Sequence, residues 1–441
     1  MANSAQENAV NSDSHAHSQV LGSLPRRDRT PPAFPIPQAR RIEAIDVLRG
    51  VTVLGILIMN VQLFAMIAPG TVNPYGCSWT DAPNVITWVV IQIVYGYKDL
   101  LIFGMLFGVG IALMDERGAA LGRDVTRLHY RRMAVLLMFG LAHAYLVWSG
   151  DILYHYALCG CVVFLLRRQR IALQLVVGAL AYAVPLALLF VGDAILHRLD
   201  PKSIAEIYSA TFSPTVEQIA AHNATYRAGW IGQMGARAAE SLAIQIVLFP
   251  LAFFWICGGS MLVGMALYRS GMFTLRLATR SYVIMIAIAL ILGLPLILYG
   301  LHRNFAVNWQ PEYSILRGRI YFLAAAPFTA LGYISMIMLI CRAGLAKWLT
   351  SRLAAVGQMA LTNYIMQSLI CSVLFYGHGF GLVGKVDRMG QMGIVVAVWA
   401  LQLYLSPIWL RRFRFGPMEW LWRSLSHGIR QPMRRDTISE S

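Results

Sequence analysis

The sequence predicts an all-α polytopic membrane protein, and three observations support that fold class. Of the 441 residues, 57% are hydrophobic and only 13% are charged, whereas an average soluble domain carries about 25% charged residues. Apolar runs of about 20 residues, the length of one membrane crossing, recur along most of the chain. These runs lack the period-two alternation of membrane β-barrel strands, so a bundle of transmembrane helices is predicted.

Apolar runs define about ten predicted transmembrane helices. The run at 84–114 is too long for one straight crossing and contains Lys98 and Asp99 in its middle, which predicts two half-segments or a strongly kinked helix. Glycines at 104, 108 and 110 are expected to allow close helix packing there. The ten predicted spans are 47–68, 84–114, 132–149, 151–167, 171–192, 242–267, 281–300, 320–341, 353–376 and 392–410.

The distribution of basic residues predicts that both termini are cytoplasmic. Of the 37 Lys and Arg residues, 26 fall in the two termini and the loops on their side of the bundle, and nine fall in the opposite loops. Loops rich in Lys and Arg stay on the cytoplasmic side of a membrane. The net charge of +16 therefore follows from topology, and no nucleic-acid partner is predicted.

Composition divides the chain into five segments. Residues 1–40 are polar and lack the apolar core of a signal peptide, which predicts a disordered cytoplasmic tail. The predicted segments after it are an N-terminal transmembrane half at 41–192, a periplasmic loop at 193–241, a C-terminal transmembrane half at 242–410, and an interfacial segment with a cytoplasmic tail at 411–441.

Two segments outside the predicted spans have patterns of their own. Residues 222–233 of the periplasmic loop fit an amphipathic helix, which either lies on the surface or forms a lid over an acceptor site. Arg411, Arg412 and Arg414, followed by Trp420, are typical of an interfacial anchor that meets lipid phosphates. The alternative is that these arginines hold the phosphates of a cytoplasmic donor such as acyl-CoA.

The first predicted helix carries polar residues within a strongly apolar stretch. Asp46 and Arg49 are three residues apart, so they share a helix face and can pair. Asn60 lies eleven residues after Arg49, about 16 Å further along that face. Because such groups are costly in hydrocarbon, they indicate either an interfacial ion pair with an interhelical hydrogen bond, or one wall of a polar, donor-binding cavity to which Lys98 also belongs.

Four separated blocks carry a family resemblance. They are RIEAIDVLRGVTVLGILIMN, LLIFGMLFGVGIALM, RRMAVLLMFGLAHAYLVWSGDILYHYALCG, and GQMALTNYIMQSLICSVLFYGHGFGL together with RRFRFGPMEWLWRSLSHG. In this order and spacing they resemble the YeiB-like family of bacterial inner-membrane proteins, whose C-terminal domain has no assigned function. The resemblance implies a multi-pass protein of the bacterial inner membrane.

The N-terminal half is also similar to transmembrane acyltransferases such as heparan-alpha-glucosaminide N-acetyltransferase and the bacterial sugar O-acyltransferases. The shared feature is an acid-x-x-Arg-Gly opening, here Asp46, Arg49 and Gly50. Where the O-acyltransferases have a catalytic histidine eleven residues after the arginine, this sequence has Asn60. In the heparan enzyme the working histidine comes slightly later, just before a Ser-Trp pair. At that place this sequence has Tyr75-Gly76-Cys77 before Ser78-Trp79, and no histidine. The resemblance implies an acyltransferase-like bundle with acyl-CoA as a candidate donor.

A histidine elsewhere is a candidate for the general base that acyl transfer requires. Ser149-Gly150 is typical of a tight turn between two helices, and Asp151 can cap the second helix. His155 then lies one turn deeper, and His143 lies about two turns below the turn on the partner helix. His143, Asp151 and His155 are therefore the predicted catalytic cluster, and the alternative is histidines that simply bond to a neighbouring helix.

The run at 353–376 carries a polar stripe. Gln358, Asn363 and Gln367 lie along one flank, and the run ends near His378. Hydrogen bonds between helices explain such a stripe, and so does a polar cavity that binds a substrate.

Three classes of function remain open on sequence grounds. The first is an acyltransferase-like enzyme that acts on an acyl donor and a periplasmic or lipid acceptor. The others are a transporter or flippase, and a lipid- or quinone-binding protein without catalysis. Membrane lipids and a small-molecule or lipid substrate are the expected partners, and a homodimer is a candidate assembly. No spacing of His and Cys predicts a metal site.

Overall fold

The computed structural model of the protein describes residues 43–196 and 198–435. Within these ranges the chain is helical, and its one β-type pairing joins Phe413 to Arg434. The helices are α1 (Glu43–Ala65), α2 (Pro69–Val72), α3 (Ala82–Val94), α4 (Lys98–Ala120), α5 (Thr126–Leu146), α6 (Leu153–Val163), α7 (Ile171–Leu196), α8 (Pro201–Thr211), α9 (Val216–Arg227), α10 (Met234–Ala243), α11 (Phe254–Arg269), α12 (Thr279–Ile288), α13 (Leu294–Ala306), α14 (Pro311–Ser314), α15 (Arg317–Arg342), α16 (Lys347–Gln358), α17 (Ala360–Phe375), α18 (Arg388–Arg412) and α19 (Pro417–His427).

The all-helical fold is confirmed for the described residues. Seven helical segments are long and apolar enough to cross a membrane, and the helices Leu153–Leu166 and Ala360–Phe375 are apolar but shorter. The count of ten crossings and the side on which the termini lie stay predictions, and the predicted tail at 1–40 lies outside the described residues. The seven segments are Glu43–Ala65, Ala82–Ala120, Ile171–Leu196, Met234–Arg269, Thr279–Ala306, Pro311–Arg342 and Arg388–Arg412.

The long run at 84–114 consists of two helices. Of the two predicted forms, two half-segments or one kinked helix, the first is therefore present. Helix α3 ends at Val94, Tyr97 adopts a left-handed conformation with φ of 57°, and α4 begins at Lys98. The Lys98 ammonium donates hydrogen bonds to the carbonyl oxygens of Ile93 at 2.8 Å and Gln92 at 3.3 Å. A cation at these carbonyls is favourable because the last carbonyls of a helix have no partner within it.

Helix α1 lies at the centre of the bundle, where it contacts α4, α15, α16, α17 and α18. The closest approach is to α16. A Cβ at Gly50 would overlap the carbonyl oxygen of Leu353, and one at Gly357 would overlap the carbonyl oxygen of Asp46. Glycine therefore brings the two backbones into direct contact.

Helices α4 and α11 approach each other in the same way. A Cβ at Gly104 would overlap the Ser260 hydroxyl, and one at Gly108 would overlap the carbonyl oxygen of Met261. The expectation of close packing is confirmed at these two glycines and is wrong at Gly110, around which no atom lies within 4 Å of an added Cβ. Gly110 is exposed because it faces away from α11.

Two helical segments contain wide π-type turns, Ile244–Phe253 and Ala289–Gly293. Pro250 lies inside the first, and Pro295 follows the second. Proline lacks an N–H and clashes with the preceding turn, so a local change of hydrogen-bonding register accommodates it. The first of these segments directs Phe249 and Phe253 towards α6.

The loop predicted to be periplasmic folds into helices that cover the end of α5. Helix α9 stops at Arg227, so the expectation of one amphipathic helix through residue 233 is wrong. Gln233 instead donates hydrogen bonds to the carbonyl oxygens of Tyr226 at 3.0 Å and Ala228 at 2.5 Å, which stabilise the turn into α10.

Candidate functional site

The turn between α5 and α6 brings a histidine and an aspartate into a buried pair. His143 Nδ1 lies 2.8 Å from Asp151 Oδ1, and the two residues are only 4% and 1% exposed. The expected tight turn at Ser149-Gly150 is present, and Asp151 Oδ2 accepts a hydrogen bond of 3.0 Å from the amide of Tyr154 in the first turn of α6. His143 Nε2 is buried and makes no hydrogen bond within the described part of the chain.

Aromatic side chains surround this pair. The ring of Tyr364 from α17 lies 5.4 Å from the His143 ring, and the Tyr364 hydroxyl contacts the carboxylate of Asp151. Trp148 lies edge-on to His143 at 6.4 Å and stacks on Phe64 of α1 at 4.5 Å. The pair is thus held between α5, α6 and α17, near the end of α1, in the arrangement of a base and the group that orients it.

His155 is buried but does not join the pair. Its ring stacks on Tyr154 at 4.0 Å and packs against Phe249 at 5.3 Å and Phe253 at 4.8 Å. Its ring nitrogens make no side-chain hydrogen bond among the described residues. Of the three residues expected to form one cluster, the structure brings together His143 and Asp151, because His155 points instead towards the π-type segment before α11.

Helix α10 and the turn before it cover the α5 side of this site. Arg237 donates to the carbonyl oxygens of Leu146 at 3.0 Å and Tyr145 at 3.4 Å, and Trp230 donates to that of Leu146 at 2.8 Å. The Ser149 hydroxyl in the α5–α6 turn donates to Glu240 at 2.8 Å. The last carbonyl groups of α5 are therefore bonded to other parts of the chain.

Of the predicted donor-binding residues of α1, Asp46 and Arg49 lie at the end of the helix that is far from His143. Arg49 donates to Asp46 at 2.9 Å, so this ion pair is present. Asp46 is buried, whereas the Arg49 side chain is 29% exposed. Asn60 is half-buried near the C-terminal end of α1, one turn before Phe64, and so lies at the same end of the helix as His143. Lys98 binds the end of α3, as described above, and is not part of this stripe.

The polar stripe of α16 and α17 forms a hydrogen-bond network with α18 and α1. Asn363 donates to Ser406 at 3.1 Å, Gln367 donates to Gln402 at 2.9 Å, and Gln402 donates to the Asn363 carbonyl oxygen at 2.9 Å. Gln367 also donates to the backbone of Val53 in α1 at 3.1 Å. These contacts match the first of the two sequence interpretations, in which the stripe joins helices.

Two predicted residues lie at the margins of this network. Gln358 is the last residue of α16 and is half-buried. His378 is exposed in the loop after α17, with its ring 6.0 Å from that of Tyr376. Partial burial and the nearby Arg237 lower the pKa of His378. His378 therefore lies on the surface of the helix-capping loop rather than beside His143.

Several residues of the site carry no distinctive sequence signal. Tyr364 lies between Asn363 and an apolar run, and only the fold brings it to Asp151. Glu240 and Arg237 lie in a weakly patterned stretch of the loop. Among the described residues, no three His, Cys, Asp or Glu side chains are grouped as a metal site would require.

These features define a class of protein: a helical membrane protein with a buried histidine–aspartate pair at one end of its bundle. The chain belongs to the family of YeiB and YxaH. It is 31% identical to the uncharacterised protein YeiB of Escherichia coli (strain K12) over 392 residues, which covers 87% of this chain and 95% of YeiB. It is 30% identical to the uncharacterised protein YxaH of Bacillus subtilis (strain 168) over 418 residues, 90% of this chain and 97% of YxaH.

The family described as "Protein of unknown function (DUF418)" matches residues 267–429. A third relative, an uncharacterised 39.9 kDa protein encoded in the amylase 3' region of Bacillus acidopullulyticus, is 26% identical over 406 residues, 90% of this chain and 97% of that protein. No solved structure matches the chain. The expected membership of the YeiB-like family is thus confirmed.

Proposed function

We propose that the protein is a membrane-embedded acyltransferase in which His143 is the general base and Asp151 orients it. One observation carries the proposal: a buried His143–Asp151 hydrogen bond of 2.8 Å leaves Nε2 of the same ring without a partner among the described residues. A carboxylate on Nδ1 holds the imidazole in the tautomer whose Nε2 accepts a proton. This pairing is what a proton-accepting base requires, and interhelical bonding of His143 alone would not need it.

In the proposed reaction, His143 Nε2 takes the proton of an acceptor hydroxyl or amine. The acceptor's oxygen or nitrogen then attacks the carbonyl carbon of an acyl thioester, and the sulfur leaves as a thiol after it receives that proton. Asp151 stabilises the imidazolium that forms in between. Tyr364, whose hydroxyl contacts Asp151, helps to fix the carboxylate.

The proposed donor enters from the end of the bundle where α1 begins, which the distribution of arginines predicts to be cytoplasmic. Arg49 and Phe64 are fifteen residues apart on α1, about 22 Å along the axis, and Phe64 stacks on Trp148 beside His143. A small molecule cannot reach both Arg49 and His143. A donor that contacts both must be long and narrow, as an acyl group on a pantetheine arm is.

Thiol release from acetyl-CoA in proteoliposomes tests the proposal. We expect wild-type protein to release thiol when the vesicles supply a hydroxyl- or amine-bearing lipid, and His143→Gln to lose about 10²- to 10⁴-fold of that rate. His302→Gln is the matched control, because His302 is an exposed histidine of α13. Equal rates for wild type and His143→Gln would refute the assignment of the base. A wild-type protein that releases no thiol but retains a bound lipid would favour a lipid-binding or transport function.

A further inference from the structure

Helix α19 packs along the first half of α5 through contacts that involve cationic groups. The indole N–H of Trp422 donates to the Arg132 carbonyl oxygen at 3.0 Å, and the Arg132 guanidinium lies over the Trp422 ring at 4.4 Å. Arg131 donates to the carbonyl oxygen of Leu425 at 3.5 Å. The two arginines of α5 are therefore held against α19, and cation–π contact with Trp422 fixes one of them.

These arginines belong to a group of four basic side chains. Arg131, Arg132 and Arg423 all act electrostatically on His427, and Arg423 also acts on Arg132. Burial, followed by the charges of these three arginines, lowers the pKa of His427. The positive charges thus reinforce one another in a small region between α5 and α19, and like charges at such positions destabilise the fold unless an anion offsets them.

The acidic residues of the neighbouring segments bind other partners. Both carboxylate oxygens of Glu419 accept hydrogen bonds from Thr362, and one of them also accepts from Leu361. On α4, Glu116 accepts from the Tyr268 hydroxyl at 2.6 Å, and Asp115 pairs with arginines of the α6–α7 connection. These three carboxylates therefore do not pair with Arg131 or Arg132.

Arg132 has only a weak hydrogen-bond acceptor for its guanidinium in the described part of the chain. The side-chain polar contact of Arg132 is to the Met114 sulfur at 3.4 Å, a weak acceptor. Its guanidinium is packed against α4 and α19 but remains half-buried, so part of it is accessible. A half-buried guanidinium whose neighbours in the described chain are a thioether and an indole has only weak acceptors there, and an anion would supply stronger ones.

We propose that Arg131, Arg132 and His427 form a binding site for a phosphate group between α5 and α19. A guanidinium presents donors in a fork that matches phosphate oxygens, and Trp422 holds that fork in place. The phosphate has two sources, the head group of an anionic lipid or a soluble phosphate-bearing molecule. The site is independent of the proposed chemistry, because His143 lies eleven residues from Arg132 on α5, about 16 Å away along the helix.

Binding measurements on the full-length protein in uncharged detergent test the site and separate the two sources. Native mass spectrometry measures retention of phosphatidylglycerol against phosphatidylcholine, and thermal unfolding with and without sodium pyrophosphate measures binding of a soluble phosphate. The variants are Arg132→Gln and Arg131→Gln. Since Arg131 is exposed, its substitution keeps the test valid even if Arg132→Gln fails to fold.

Arg123→Gln is the matched control, because Arg123 is an exposed arginine of the α4–α5 loop. Its substitution removes one positive charge close to the N-terminal end of α5, as the two α5 variants do. We expect wild type and Arg123→Gln to bind at least one of the two probes, and both α5 variants to bind that probe about tenfold more weakly. Retention of phosphatidylglycerol alone identifies a lipid site, and stabilisation by pyrophosphate identifies a soluble ligand.

Two outcomes would overturn the proposal. In the first, wild-type protein binds neither probe. In the second, Arg123→Gln weakens binding as much as the α5 variants do, which would mean that general surface charge attracts the phosphate. Neither readout involves thiol release, so failure of this site is distinguishable from failure of the proposed acyl transfer.

Discussion

Replacement of Asp151 by asparagine tests the buried pair at the level of single hydrogen bonds. Asp151 accepts from His143 Nδ1 at one oxygen and from the Tyr154 amide at the other, at 2.8 and 3.0 Å. Asparagine has one oxygen and one NH₂ group, so one of the two donors must face another donor. A buried donor without an acceptor costs about 1 to 3 kcal/mol, which is the expected loss in the free energy of unfolding of Asp151→Asn.

The variant has one way to avoid part of that cost. His143 can change tautomer, so that Nδ1 accepts from the new NH₂ group and Nε2 carries the proton. That tautomer cannot act as a base, and we expect the rate of thiol release to fall about 10²- to 10⁴-fold. Asp151→Asn must therefore lose stability, activity or both.

The assay compares Asp151→Asn with Asp200→Asn, for both chemical unfolding in detergent micelles and thiol release. Asp200 is exposed and accepts from the amides of Lys202 and Ser203 at the start of α8, a position at which asparagine caps as well as aspartate. We expect Asp200→Asn to leave the rate of thiol release unchanged and to alter the free energy of unfolding by no more than about a few tenths of a kcal/mol. Wild-type stability together with wild-type activity in Asp151→Asn would refute both the pairing and its catalytic role.

Two further predictions concern packing and pH. Gly357→Ala places a methyl group on the Asp46 carbonyl oxygen, so α16 must move away from α1 and the free energy of unfolding should fall by about 1 to 3 kcal/mol. The control is Gly110→Ala, whose methyl group meets no atom within 4 Å and should leave thermal stability unchanged or slightly higher. Equal losses of stability in the two variants would contradict the packing of α1 on α16. Burial lowers the pKa of His222 in α9 from 6.5 to about 4, so the unfolded chain binds a proton that the folded chain does not. The free energy of unfolding is therefore highest above pH 6.5 and decreases as the pH falls towards 4, and His222 accounts for at most about 3 kcal/mol of that decrease. Unfolding measured between pH 4 and pH 8 should show a shallower dependence in His222→Gln, and parallel profiles would disprove the effect.

The helical membrane fold was predictable because transfer of apolar residues into lipid depends on composition over about 20 residues, which the sequence displays directly. The division of the run at 84–114 was predictable for the same reason, since Lys98 and Asp99 interrupt it. The number of crossings was less accessible. Helices such as α6 and α17 are apolar but short, and whether a short helix spans a bilayer depends on its neighbours.

The histidine–aspartate pair was predictable because Ser149-Gly150 indicates a tight turn, and a tight turn places the flanking residues of two helices side by side. The position of His155 was not, because the direction of its ring depends on Phe249 and Phe253, about a hundred residues further along the chain. The contact of Tyr364 with Asp151 likewise depends on the packing of α17 against the turn between α5 and α6. Long-range helix packing leaves no local pattern in a single sequence.

The cover that α10 forms over the end of α5 affects the strength of every charge interaction beneath it. Arg237 and Trp230 bond to carbonyl groups of α5 that would otherwise require water. Because His143 and Asp151 beneath this cover are almost fully buried, the effective dielectric constant around the pair is below that of bulk solvent. Since Coulomb energies scale inversely with the dielectric constant, the attraction between Asp151 and a protonated His143 is stronger here than the same pair would show on a wet surface.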